Sequence, residues 1–170
     1  MLNQKSSVKI VQNVDQTISV MHNAGKWLEE SGKKPSDSWK PSNMNKEFML
    51  KQAEPSEFYV ALVGGRPAAG MILQDNERNQ SWKAIDKGKP VNALYIHWLC
   101  VAREHSGTGL PKIMIDFAAS YAKSHSIHVL RLDTNANETK LRRIYENLGF
   151  DLVSTEPEAD RVTAFFQKKC

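Results

Sequence analysis

The sequence predicts an α/β (α+β) fold in which a mixed, mostly antiparallel central sheet of about seven strands is flanked by about four helices. Three observations carry that prediction. Short apolar runs and helix-periodic stretches succeed one another in the order β-α-α-β-β-β-α-β-α-β-β. Gly64 and Gly65 separate two apolar runs, as in a hairpin turn where both residues accept positive φ without steric cost. The apolar run from Ala93 to Ala102 is followed by a helix and then a further strand, the pattern of a parallel crossover within an otherwise hairpin-connected sheet.

Val8 to Val11 reads as the first strand. From Val14 to Glu30, residues Val14, Ile18, Met21, Gly25 and Leu28 recur at helical spacing, and Gly32 supplies the usual helix stop. The stretch from Lys33 to Pro41 is a connector, and Ser42 to Ala53 reads as a second, shorter helix with Met44 and Phe48 on one face. The hairpin joins Glu57–Val63 to Arg66–Leu73. Gln74 to Asn92 is polar and broken by Gly88 and Pro90, so it reads as a loop with one helical turn around Trp82 to Ile85.

After the central strand and its turn, Leu110, Ile113, Met114, Phe117, Ala118 and Tyr121 follow the i, i+3, i+4, i+7 rule. Pro111 sits in the first turn, where its missing N–H costs little. His128 to Asp133 is a short strand. Glu138 to Leu148 is a helix with Leu141, Ile144, Tyr145 and Leu148 on one face and Gly149 as its stop. Phe150 to Ser154 and Val162 to Gln167 are the last two strands.

At 170 residues the chain, 1–170, is expected to form a single domain. With 41% hydrophobic and 25% charged residues and no internal repeat, it has the composition of an ordinary globular protein. The opening segment from Met1 to Lys9 lacks the apolar stretch of a secretory signal, and the Ala93–Ala102 run falls well short of the ~20 residues needed to span a bilayer. A cytoplasmic protein is therefore expected, with Cys100 and Cys170 as free thiols. The net charge of +4 would suit an anionic partner, but the basic residues are scattered rather than interleaved with aromatics. Neither nucleic acid nor membrane is an expected partner.

The chemistry concentrates where Ala93–Ala102 breaks into Arg103–Pro111 and then a helix. A strand feeding a glycine-bearing turn feeding a helix N-terminus is a phosphate-binding device, because backbone N–H groups and the positive end of the helix dipole point into the turn.

Two motifs in order then become recognisable. Aligned without gaps from Val101, the residues Ser106, Gly107, Thr108, Gly109, Leu110 and Pro111 fall on a turn written Gln/Arg-x-x-Gly-x-Gly/Ala. Downstream, Asn137 precedes a helix that ends in Tyr145, Glu146, Asn147, Leu148, Gly149 and Phe150. On these residues, which span roughly 91–155, the chain resembles the GNAT superfamily of acyl-CoA-dependent N-acetyltransferases.

The resemblance implies transfer of an acetyl group from acetyl-CoA, a co-substrate, to a primary amine of a small molecule, peptide or protein by direct attack in a ternary complex. No metal is expected. It implies that the backbone of Leu99, Cys100 and Val101 pairs with the pantetheine arm and holds the thioester carbonyl at an N–H. The Ser106 hydroxyl and the amides of Gly107, Thr108, Gly109, Leu110 and Lys112 would meet the pyrophosphate, with the Lys112 side chain close by. Tyr145 matches the general acid, a phenol of pKa about 10 protonating a thiolate whose conjugate acid has a pKa of about 8.5. His97 stands where relatives often carry a Glu that orders water or removes the amine proton.

Plain alternatives stand beside each role. Tyr145 also falls on the apolar face of its helix, His97 reads equally as a half-buried sheet residue, and Asn137 either reaches the pantetheine or caps the helix. Cys100 as a nucleophile is disfavoured, and His105 reads as solvent-facing. Ser106 in place of Gln or Arg, and Pro111 in place of the second Gly or Ala, loosen the expected cofactor grip. Those departures keep a second reading open, a non-catalytic acyl-CoA-binding sensor. Trp27, Trp39, Phe48 and Trp82 could wall an acceptor pocket, and Glu29, Glu30, Glu47 and Asp86 could attract a cation. An edge strand could pair between subunits to give a homodimer.

Overall fold

The computed structural model describes residues 7–33, 37–158 and 161–170. Seven strands form one sheet in the order β1-β2-β3-β4-β5-β7-β6, with β1 Val8–Gln12, β2 Phe58–Val63, β3 Arg66–Gln74, β4 Leu94–Val101, β5 Val129–Asn135, β6 Asp151–Pro157 and β7 Val162–Lys169. The helices are α1 Val14–Glu30, α2 Lys46–Met49, α3 Leu110–Ser124 and α4 Thr139–Asn147. The mixed, mostly antiparallel sheet with about four helices is the architecture the sequence predicts. The chain divides into two compact units, Met1–Ile72 with Trp98–Met114 and Leu73–His97 with Ile115–Cys170. Among the described residues, no helix is long and apolar enough to cross a membrane.

In the first unit, β1 runs antiparallel to β2 with Val8 opposite Val63, and β2 runs antiparallel to β3 with Phe58 opposite Ile72. The α1 helix starts where the Asn13 side chain accepts the Gln16 N–H at 2.9 Å, satisfying one of the amides a helix leaves orphaned at its start. Its inner face buries Ile18, Val20 and Met21 in a core that also holds Met44, Met49, Phe58, Val60, Ile72 and Cys100. Gly25 lets the connector pass close, since a Cβ there would stand 2.6 Å from the Trp39 carbonyl oxygen.

The second helix is shorter than the Ser42–Ala53 span the pattern suggests. Only Lys46–Met49 is α-helical, and short 3-10 turns occupy Asp37–Trp39, Pro41–Asn43 and Pro55–Glu57. Local hydrogen bonds explain the difference. Asn45 is extended and its side chain accepts the Phe48 N–H at 2.9 Å, so the helix cannot begin earlier, and past Met49 the chain tightens into turns, with Lys51 N–H donating to the Phe48 carbonyl and Gln52 N–H to the Met49 carbonyl.

In the second unit, β4 pairs in parallel with β5 at Leu94 with Leu130 and Tyr95 with Arg131. The β7 strand runs antiparallel to both β5 and β6, with Leu132 and Leu152 each opposite Phe166. The segment between β3 and β4 forms turns and no helix. It is held by its interior: Trp82, 2% exposed, packs edge-on against Phe165 at 5.0 Å and Tyr95 at 6.3 Å. Trp82 is thus a core residue that also lines a surface pocket with Asp86, Lys89 and Tyr95. On α4 the apolar face is only partly covered: Tyr145 is buried, whereas Ile144 is 43% exposed.

Candidate active site

Within β4, Trp98 has φ +57, the left-handed region that bulky side chains rarely adopt. That conformation costs roughly 1–3 kcal/mol and re-aims the peptide groups on either side of it. Packing offsets the cost: the Trp98 ring lies 4.9 Å from the Trp39 ring and rests against the first unit's core. The kink falls immediately before Leu99, Cys100 and Val101. Just past the end of β4, the Ala102 N–H donates to the Ala68 carbonyl at 2.8 Å.

After Ala102 the chain makes a 3-10 turn over Arg103–His105, closed by His105 N–H to the Ala102 carbonyl and Ser106 N–H to the Arg103 carbonyl. The Ser106 amide is thereby engaged in the turn, leaving its exposed side chain to offer the hydroxyl. Thr108 Oγ1 donates to the His105 carbonyl. Gly107 and Gly109 take φ of +76 and +80, and a Cβ on either would meet nothing within 4 Å. Both glycines and Thr108 are exposed, while Leu110 is buried at the first position of α3.

The geometry fits a diphosphate. Two left-handed glycines present the turn's backbone without side chains in the way, and the first amides of α3 lack intrahelical acceptors by the geometry of any helix start. Pro111 contributes no N–H, and Lys112 is exposed one residue further on.

Leu99, Cys100, Val101 and the Ser106–Lys112 turn lie in the first unit, whereas His97, Asn137 and Tyr145 lie in the second. His97 is half-buried and stacks on Tyr95, two residues back on the same strand face, with ring centroids 6.5 Å apart and planes within 10°. Tyr145 is 6% exposed and packs against Phe150 at 6.1 Å and Phe166 at 6.0 Å. Asn137 does not cap α4. Its N–H donates to Asn135 Oδ1 at 3.0 Å, and the cap position is taken by Glu138 without a side-chain hydrogen bond.

His105 and Asp86 differ from the sequence expectation, whereas Cys100 agrees with it. His105 is not solvent-facing: its side chain is 21% exposed, 3.6 Å from Glu104. Asp86 is committed to an ion pair with Arg131. Cys100 is buried, its Sγ donating to the Gly70 carbonyl at 3.8 Å, and burial pushes its thiol up to about 12. A thiol so held stays protonated and is not a nucleophile.

Sequence reasoning also missed a partly buried acid. Asp133 on β5 is pushed up to about 6 by burial, against the lowering influence of Arg161 at 3.7 Å, with Glu158 and Glu77 raising it further. Only its parity with Arg131 on one face of β5 hinted at it. Among the described residues, no group of three or more His, Cys, Asp or Glu side chains could hold a metal ion.

Residues 24–150 match the family model described as "Acetyltransferase (GNAT) family". The chain therefore belongs to the GNAT family, and it is an acetyl-CoA-dependent acetyltransferase. Solved structures agree in fold. A GNAT-family acetyltransferase from Streptococcus agalactiae 2603 is 20% identical with a TM-score of 0.73, the match covering 96% of this chain and 95% of that one. One from Listeria monocytogenes 4b F2365 is 21% identical with a TM-score of 0.71, with the same coverage of 96% and 95%. The PaiA N-acetyltransferase of Thermoplasma acidophilum, solved in complex with coenzyme A, is 18% identical with a TM-score of 0.67, covering 96% and 99%. No curated protein matches the sequence.

Proposed function

We propose that the chain acetylates a primary amine of a small molecule or peptide by direct attack, with the Ser106–Lys112 turn holding the diphosphate of acetyl-CoA. The observation that carries this reading is the pair of left-handed glycines, Gly107 and Gly109, that precede α3 in the turn following β4. The backbone from Leu99 to Val101 binds the pantetheine arm and polarises the thioester carbonyl through an N–H. The amine nitrogen forms a bond to that carbonyl carbon as the C–S bond breaks. Tyr145 donates its phenolic proton to the departing thiolate, and His97 accepts the proton lost by the amine, directly or through water. The buried, protonated Cys100 supports direct transfer over an acetyl-cysteine intermediate.

The test is amine-dependent thiol release from acetyl-CoA across a panel of amines and peptides, with the acetylated product identified by mass spectrometry. Cys100→Ala should retain turnover. Binding of acetyl-CoA with no amine-dependent release would favour the sensor reading instead.

A further inference from the structure

We propose that Asn23 and Trp27 of α1 are positioning residues for the acetyl-CoA turn, acting together through Arg103; this rests on the turn's proposed role above. The 3-10 turn over Arg103–His105 begins with amides that its own hydrogen bonds cannot satisfy. Its cap residue is Ala102, which makes no side-chain cap hydrogen bond. The cap comes instead from a residue 80 positions earlier: Asn23 Oδ1 accepts the Arg103 N–H at 3.1 Å. One helical turn further along α1, the Trp27 ring lies under the Arg103 guanidinium, 4.6 Å from its centroid.

Asn23 and Trp27 stand at i and i+4, so they share one face of α1. One grips the backbone and the other the side chain of the same residue. Beyond Arg103 the turn is exposed through Gly107, Thr108 and Gly109, with open space around both glycines. Glycine-bearing backbone of this kind loses much conformational freedom on binding a ligand unless it is held beforehand. The hold at Arg103 fixes where the turn leaves β4, and hence the aim of the amides that follow.

The experiment compares wild type, Asn23→Ala, Asn23→Asp, Trp27→Leu and Gly109→Val by calorimetric titration with acetyl-CoA and by steady-state kinetics, with melting temperature as a folding control. Asn23→Ala and Trp27→Leu should each raise Kd and KM for acetyl-CoA about fivefold, the scale of a lost cap, while KM for the amine holds and the melting temperature falls by no more than about 2–4 °C. Asn23→Asp, whose carboxylate also accepts an N–H, should restore affinity. Unchanged acetyl-CoA affinity in Asn23→Ala and Trp27→Leu, with binding lost in Gly109→Val, overturns the positioning role and leaves the turn's role standing. Wild-type affinity in Gly109→Val overturns both.

Discussion

Arg131 and Asp86 form a buried bidentate ion pair, with both guanidinium NH groups 2.8 Å from the two carboxylate oxygens. The guanidinium carbon also lies 4.2 Å from the Trp82 ring centroid, and NH1 is 3.4 Å from the Tyr95 hydroxyl. The side chains are 5% and 13% exposed. This pair, with Trp82, fastens the β3–β4 segment to β5 where no regular secondary structure does so. Asp86→Ala strands a buried guanidinium and should destabilise the protein by about 3–5 kcal/mol in chemical denaturation. The double variant Asp86→Leu with Arg131→Met should recover most of that loss, because it removes the uncompensated charge. A double variant as unstable as Asp86→Ala would show that the pair itself, and not the stranded charge, dominates.

Gly25→Ala sets two effects against each other. Alanine favours a helix interior by up to about 1 kcal/mol over glycine. Its Cβ, however, would stand 2.6 Å from the Trp39 carbonyl oxygen, a backbone atom that cannot swing aside. Overpacking of this kind costs about 1–3 kcal/mol, so a net loss of roughly 1 kcal/mol is expected in urea denaturation. A variant equal to or more stable than wild type would contradict the close approach of connector and helix.

The Asp133 carboxyl titrates at about 6 in the folded protein, against a usual value of 3.8. Between those values the folded state holds a proton that the unfolded state has lost, so this group's contribution falls as pH rises from about 4 to about 6 and is level above. The scale is on the order of 3 kcal/mol. Asp133→Asn should therefore gain stability relative to wild type as pH rises through that window. A difference between the two proteins that does not vary with pH between 4 and 7 would show an ordinary carboxyl.

Tyr145→Phe removes one hydroxyl and leaves the ring on Phe150 and Phe166. If the phenol protonates the leaving thiolate, kcat should fall by about 100-fold while KM for acetyl-CoA changes little. Thiol release at saturating substrates measures it. An unchanged kcat would reduce Tyr145 to a packing residue.

Much of the architecture was legible because its causes are local. The α1 helix runs from Val14 to Glu30 as its periodicity predicts, capped by Asn13 and followed by Gly32 with φ +71. The β2–β3 hairpin turns at Gly64 and Gly65, with φ of +57 and +80. The α2 helix was overestimated because an apolar spacing cannot register that Asn45 caps the chain just ahead of Lys46.

The site divides along the same line. The glycine turn and the run from Tyr145 to Phe150 are contiguous patterns, so the resemblance to the family, with the acetyl-CoA chemistry it implies, is carried by short stretches of sequence, and Pro111 is legible there as a departure from it. Tertiary structure alone decided the kink at Trp98, which is strained in isolation and is supported by Trp39. It also decided that Asp86 serves Arg131, 45 residues away, and that Arg103 is held from Asn23, 80 residues away. The sequence determines which short-range conformations the backbone favours, through sterics and periodicity. Partners that meet only when distant segments pack leave no periodic trace, so burial and charge pairing emerge with the fold.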